Sequence, residues 1–159
     1  MTTAQYSGIT QMGRERRGDM REIKFRVWDV ISKAMIGGET IESATNPDES
    51  SVYHTGLSYG DLFVGRYDHK GDWYELPIMQ FTGLSDKNGR DIYEGDILKY
   101  SLYVDHGQWG ETVPGGTVQV TWLQERAGFY PFYVWSSYDD QFKTCEVIGN
   151  IYENPELIK

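Results

Sequence analysis

The sequence predicts an all-β fold built from short strands, with little helix. Aromatic residues are abundant, with five Trp, twelve Tyr and six Phe in 159 residues, and rings favour pleated, half-buried surfaces. Glycine is plentiful at 18 residues, above the usual ~7%, and supplies the turns between strands. Nowhere does an apolar stripe of helical period persist through successive turns.

Along the chain, residues 1–19 read as a disordered leader. "Arg14-Glu15-Arg16-Arg17-Gly18" is compatible with purine-only codons just before Met20. The segment is therefore either a translated ribosome-binding site, with Met20 as the natural start, or a tag or flexible basic arm. In "REIKFRVWD", Ile23, Phe25 and Val27 alternate with Lys24 and Arg26, the pattern of a half-buried strand. "DVISKAMIGG" follows as a turn and a short returning strand through Met35 and Ile36. Residues 42–51 are a loop by composition. Weaker strands are expected near Leu62–Tyr67 and Trp73–Leu76, around a turn at "DHKGD". In "LPIMQFTGL", Ile78, Gln80 and Thr82 face opposite to Met79 and Phe81.

Asn88-Gly89 is a hairpin signal, because both residues tolerate positive φ. The chain turns again at Glu94-Gly95-Asp96 and enters a long strand. "VPGGTVQVTW" predicts a Pro-Gly turn and then a strand carrying Val118, Val120 and Trp122. "GFYPFYVWS" and "CEVIGNIY" are two further strands. "NPELI" offers Asn154 as N-cap and Pro155 at the first helical position of a single turn. This rhythm from Gly95 to Tyr152 suits a small SH3-like barrel or open roll. One domain over residues 20–159 is expected, with an N-terminal β subregion at 20–80 and the barrel at 81–159.

Bulk properties narrow the class. A formal net charge of -9 repels phosphate backbones, and beyond Arg17 the basic residues are dispersed. Nucleic acid is accordingly disfavoured as a partner. Cys145 is the single cysteine, which suits a reducing cytoplasm and a buried, inert thiol. No apolar run reaches the roughly 20 residues that span a bilayer, so no membrane partner is expected.

Several chemical lookalikes fail on geometry. "FTGLSDKNGRDIYEGDIL" places Asp86, Asn88, Asp91 and Glu94 among glycines like a calcium loop. Read from Asp86, however, the fourth position is Gly89 and the fifth is Arg90. A cation then stands where an EF-hand needs an oxygen ligand. "Gly56-Leu57-Ser58-Tyr59-Gly60" matches the nucleophile-elbow expression, but no helix or parallel sheet surrounds it. His54, His69 and His106 lie far apart without zinc spacing. No catalytic residue, cofactor or metal is expected.

The most suggestive stretch is "FYPFYVWSSY". Phe129, Tyr130, Phe132, Tyr133, Trp135 and Tyr138 could stack on bases, but only Arg126 and Lys143 stand near to supply charge. Half of these rings are expected in the core. The exposed half, drawn from Tyr130, Phe132, Tyr133, Trp135 and Tyr138, is expected to form a protein interface, with a second copy of the chain as first partner.

Three blocks together carry a family resemblance: "MREIKFRVWD" from Met20, "MQFTGLSDKNGRDIYEGDIL" from Met79 and "EVIGNIYENPELI" from Glu146. In order and spacing the chain resembles the YopX family of phage and prophage proteins across residues 20–159. The resemblance implies a small phage-encoded protein with an SH3-like C-terminal part, and it carries over no catalytic residue. The expectation is a non-enzymatic protein-interaction module; the alternative is a nucleic-acid-associated barrel.

Overall fold

The computed structural model describes residues 22–38, 40–41, 52–58, 61–108, 110–132 and 144–158. Twelve strands appear in these residues: β1 (Phe25–Asp29), β2 (Ala34–Gly37), β3 (His54–Ser58), β4 (Asp61–Tyr67), β5 (Trp73–Glu75), β6 (Ile78–Ser85), β7 (Asp91–Tyr93), β8 (Asp96–Asp105), β9 (Gly110–Gln119), β10 (Thr121–Leu123), β11 (Gly128–Tyr130) and β12 (Glu146–Asn150). Short 3-10 turns stand at Gln124–Arg126 and Pro155–Leu157. The protein is all-β, as the composition predicts. The proposed leader lies outside the described residues.

The strands pair in the orders β2-β1-β6-β7, β3-β4-β5, β12-β8-β9 and β10-β11, every pairing antiparallel. The C-terminal strands are compatible with the SH3-like roll expected there. The boundary drawn at residue 80 falls inside β6, which pairs with β1 on one side and β7 on the other.

Alternation explains most of the burial. Along β6, Met79 and Phe81 are buried while Ile78, Gln80 and Thr82 are only partly covered, the two-residue period of a strand with one face inward. Two apolar clusters form the core. One joins Ile92, Leu98, Val120, Phe129, Phe132, Cys145 and Val147. The other joins Val27, Ile41, Tyr53, Val64 and Leu76. Completely burying a side chain such as Leu76, Ile92 or Leu98 stabilises by roughly 1.5–3 kcal/mol.

The structure departs from the sequence reading at three places. Ile23 lies before β1 and is exposed, whereas Arg26 is buried. Alternation had put them the other way, and the reversal comes from a distant anion, Asp96. The expected Pro-Gly turn does not form: β9 runs straight through Pro114, Gly115 and Gly116. Among the described residues it pairs only with β8, so Pro114 sits on an edge strand there, where a missing N–H is tolerated. The β8–β9 register shifts between Tyr100 and Ser101, and a Cβ on Gly115 would overlap the Tyr100 ring at 2.4 Å. Finally, Asn154 makes no side-chain cap for the 3-10 turn. Its side chain instead fills the space above Gly149, where an added Cβ would meet Asn154 Oδ1 at 2.3 Å.

Candidate functional site

The β3-β4-β5 sheet has two faces of opposite character, and β4 shows why. Its residues alternate strictly, with Val64 and Arg66 on one side and Phe63, Gly65 and Tyr67 on the other. The first side is the inner one. Val64 is 4% exposed and packs with Val27, Tyr53 and Leu76. Arg66 donates from Nη1 to Asp29 Oδ2 at 2.6 Å.

Asp29 closes β1 and anchors this sheet. Its carboxylate is fully buried and also accepts from Ile31 N–H, Ser32 N–H, Ser32 Oγ and Tyr53 Oη. Burial alone would raise its pKa. The hydrogen bonds from Ser32, Ile31 and Arg66 outweigh burial and hold the carboxyl at about 2. Tyr53 donates to the same oxygen as Arg66, and burial followed by that bond pushes its phenol up.

The outward side carries rings. Register places Tyr67 opposite Trp73, and Gly65 between His54 and Glu75. Tyr67 and Trp73 meet edge to face at 4.9 Å between centroids, and His54 touches both at 5.8 Å. Phe63 meets Trp73 at 6.4 Å. Two glycines make room. A Cβ on Gly65 would lie 2.3 Å from Trp73 Cζ2, and one on Gly56 would lie 2.7 Å from Phe63 Cε1. The rings therefore rest directly on bare backbone, yet Tyr67 remains 54% exposed and Trp73 40% exposed. At the Asp61 end of this face, Ser58, Asp61, Leu62, Phe63, Trp73 and Glu75 line a shallow cavity of about 460 Å³.

Of the predicted interface residues, Tyr130 is 39% exposed at the end of β11. Phe132 is a correction: it is buried in the core beside Phe129 and Val120, so it offers no contact surface. Tyr133, Trp135 and Tyr138 lie outside the described residues. Sequence reading missed the ring cluster of His54, Phe63, Tyr67 and Trp73, because it spans three strands and β3 went unrecognised. The readable signal was the spacing of Phe63, Gly65 and Tyr67 on alternate positions.

The remaining motif residues have structural tasks. Asp86 Oδ1 accepts from Asn88 N–H and Arg90 N–H, and Oδ2 accepts from Val147 N–H at 3.0 Å. Burial works against ionisation there, but the three backbone donors win and lower its pKa. A carboxylate so engaged shapes the "DKNGRD" turn, and Gly89 takes φ 81° within it. Gly56, Leu57 and Ser58 belong to a strand rather than a strand-to-helix elbow. Cys145 is buried, and desolvation pushes its thiol up to about 11, which leaves it protonated and unreactive near neutral pH.

A family model described as YopX protein matches residues 24–159. Among solved structures, the chain is similar to protein EF1440 from Enterococcus faecalis at 25% identity, with a TM-score of 0.49. That likeness covers 88% of this chain and 100% of the other. No curated protein matches the chain. With the family match running through all twelve strands and the ties between them, the chain belongs to the YopX family.

Proposed function

We propose that this protein is a non-enzymatic protein-interaction module, acting as a phage or prophage accessory protein in the bacterial cytoplasm. The observation that carries the reading is the outward face of β3-β4-β5, where Tyr67 and Trp73 remain open to solvent above a sheet anchored from behind. Large rings held on a rigid sheet provide contact area at small entropic cost, as in known interface hot spots. Acidic composition supports a protein partner over nucleic acid.

Self-association is the second part of the proposal, placed by sequence on Tyr130, Tyr133, Trp135 and Tyr138. Light scattering on the purified chain tests it; a monomer at high concentration removes it. For the main reading, tagged wild type and a Tyr67→Ala/Trp73→Ala variant are used for affinity capture from lysogenic cells. A specific partner held by wild type and lost by an equally stable variant is expected. A partner retained by the variant overturns the reading.

A further inference from the structure

We propose that the cavity at the Asp61 end of the aromatic face takes an arginine side chain of a partner peptide, an inference that rests on the protein-interaction reading above. Its lining combines two aromatic rings, Phe63 and Trp73, with two carboxylates, Asp61 and Glu75, and among the described residues it includes no cationic side chain. Phe63 and Trp73 stand at 72° to one another, so one ring can present its face to a ligand held against the edge of the other. A ring face attracts a cation through its quadrupole, and a weakly hydrated, planar guanidinium stacks there better than an ammonium.

The carboxylates complete the fit. Arginine presents a fork of N–H donors suited to pairing with a carboxylate while the plane of the group stacks. Asp61 and Ser58 face one another in the β3–β4 register, and Glu75 stands across from Gly65 on the other side. Acceptors thus flank the rings from both neighbouring strands. An anionic ligand would meet two like charges here, and the net charge of -9 would slow its approach. The same field draws a cationic segment in.

The test is calorimetric titration of the full chain with a blocked Gly-Arg-Gly-Arg-Gly peptide and with its citrulline counterpart, which keeps the shape and lacks the charge. The arginine peptide is expected to bind at least about tenfold more tightly, and less tightly as salt rises. Trp73→Ala should abolish that binding. Asp61→Asn/Glu75→Gln, which alters only exposed positions, should weaken it about tenfold at an unchanged melting temperature. Equal binding of the two peptides, or an unaffected double carboxylate variant, overturns the inference. If cellular partner capture still depends on Tyr67 and Trp73 in that case, the interaction reading stands and only the arginine assignment falls. Binding of a neutral oligosaccharide that is lost with Trp73 would overturn both.

Discussion

Asp29 and Asp96 are both fully buried, and each is bonded to an arginine from another strand, yet their surroundings differ. Asp29 collects five donors, namely two backbone N–H groups, Ser32 Oγ, Tyr53 Oη and Arg66. Asp96 has Arg26 Nη2 at 2.5 Å and the Tyr93 N–H at 2.8 Å. Arg26 in turn stacks over the Tyr93 ring at 4.6 Å. The difference appears in the acidities: Asp29 is held low, whereas burial lifts Asp96 above the usual carboxylate value despite Arg26. Burying a charge stabilises a fold only when enough donors replace the lost water. The donor-rich site anchors the β3-β4-β5 sheet; the donor-poor one, among the described residues, is bonded to one cation, Arg26.

Removing the cation from each site should separate them most. Arg26→Met leaves Asp96 buried with one backbone donor, and a loss of about 3–5 kcal/mol is expected in denaturant unfolding. Arg66→Met leaves Asp29 four other donors, so about 1.5–3 kcal/mol is expected, the worth of one hydrogen bond to a charged group. Equal losses would show that donor number does not govern these sites.

Acid should sharpen the contrast. The folded carboxyl of Asp29 is held at about 2 against an ordinary value of 3.8. Its contribution is therefore complete above 3.8 and disappears as pH falls through about 2. That is about 2 kcal/mol at most. Asp96 acts with the opposite sign, because its raised pKa makes the folded state the better proton binder just above 3.8. Stability followed against pH should fall less steeply in Asp29→Asn than in wild type. An unchanged acid slope would contradict the assignment.

Asp86 extends the comparison to a carboxylate held chiefly by backbone donors, from Val147, Arg90 and Asn88. Because that turn is fixed by the chain itself, changing it should cost little beyond local strain. Gly89 has open space around its Cα and φ 81°, so Gly89→Ala should lose only about 1 kcal/mol. A loss comparable to Arg26→Met would mean that the turn does more than close a hairpin.

What was legible in the sequence was local. The alternation in β6, the Asn88-Gly89 turn and the turn at Glu94-Gly95-Asp96 could each be read within a few residues. The partner of Arg26 lies 70 positions away, beyond any window of periodicity, so the arginine was placed on the solvent side. Residues 129–132 drew attention because three rings fall within four positions. Alternation turns Phe129 inward and Tyr130 outward at the end of β11, and Phe132, beyond the strand, enters the same core as Phe129. The rings at positions 54, 63, 67 and 73 are scattered in sequence and gathered only by strand register.

The tie between the "DKNGRD" turn and β12 has a consequence in time. Asp86 and Val147 are joined across 61 positions, the Lys87 N–H donates to the Cys145 carbonyl, and the Ile151 N–H donates to that of Gly95. A ribosome adding roughly 5–20 residues per second needs about 3–12 s to cover that distance. Once made, β8 spends the rest of that interval without its β12 neighbour, and an unpaired edge invites pairing with another chain. Interrupted synthesis that stops short of Cys145 would leave that strand edge open, which makes such truncated products liable to pair edge to edge.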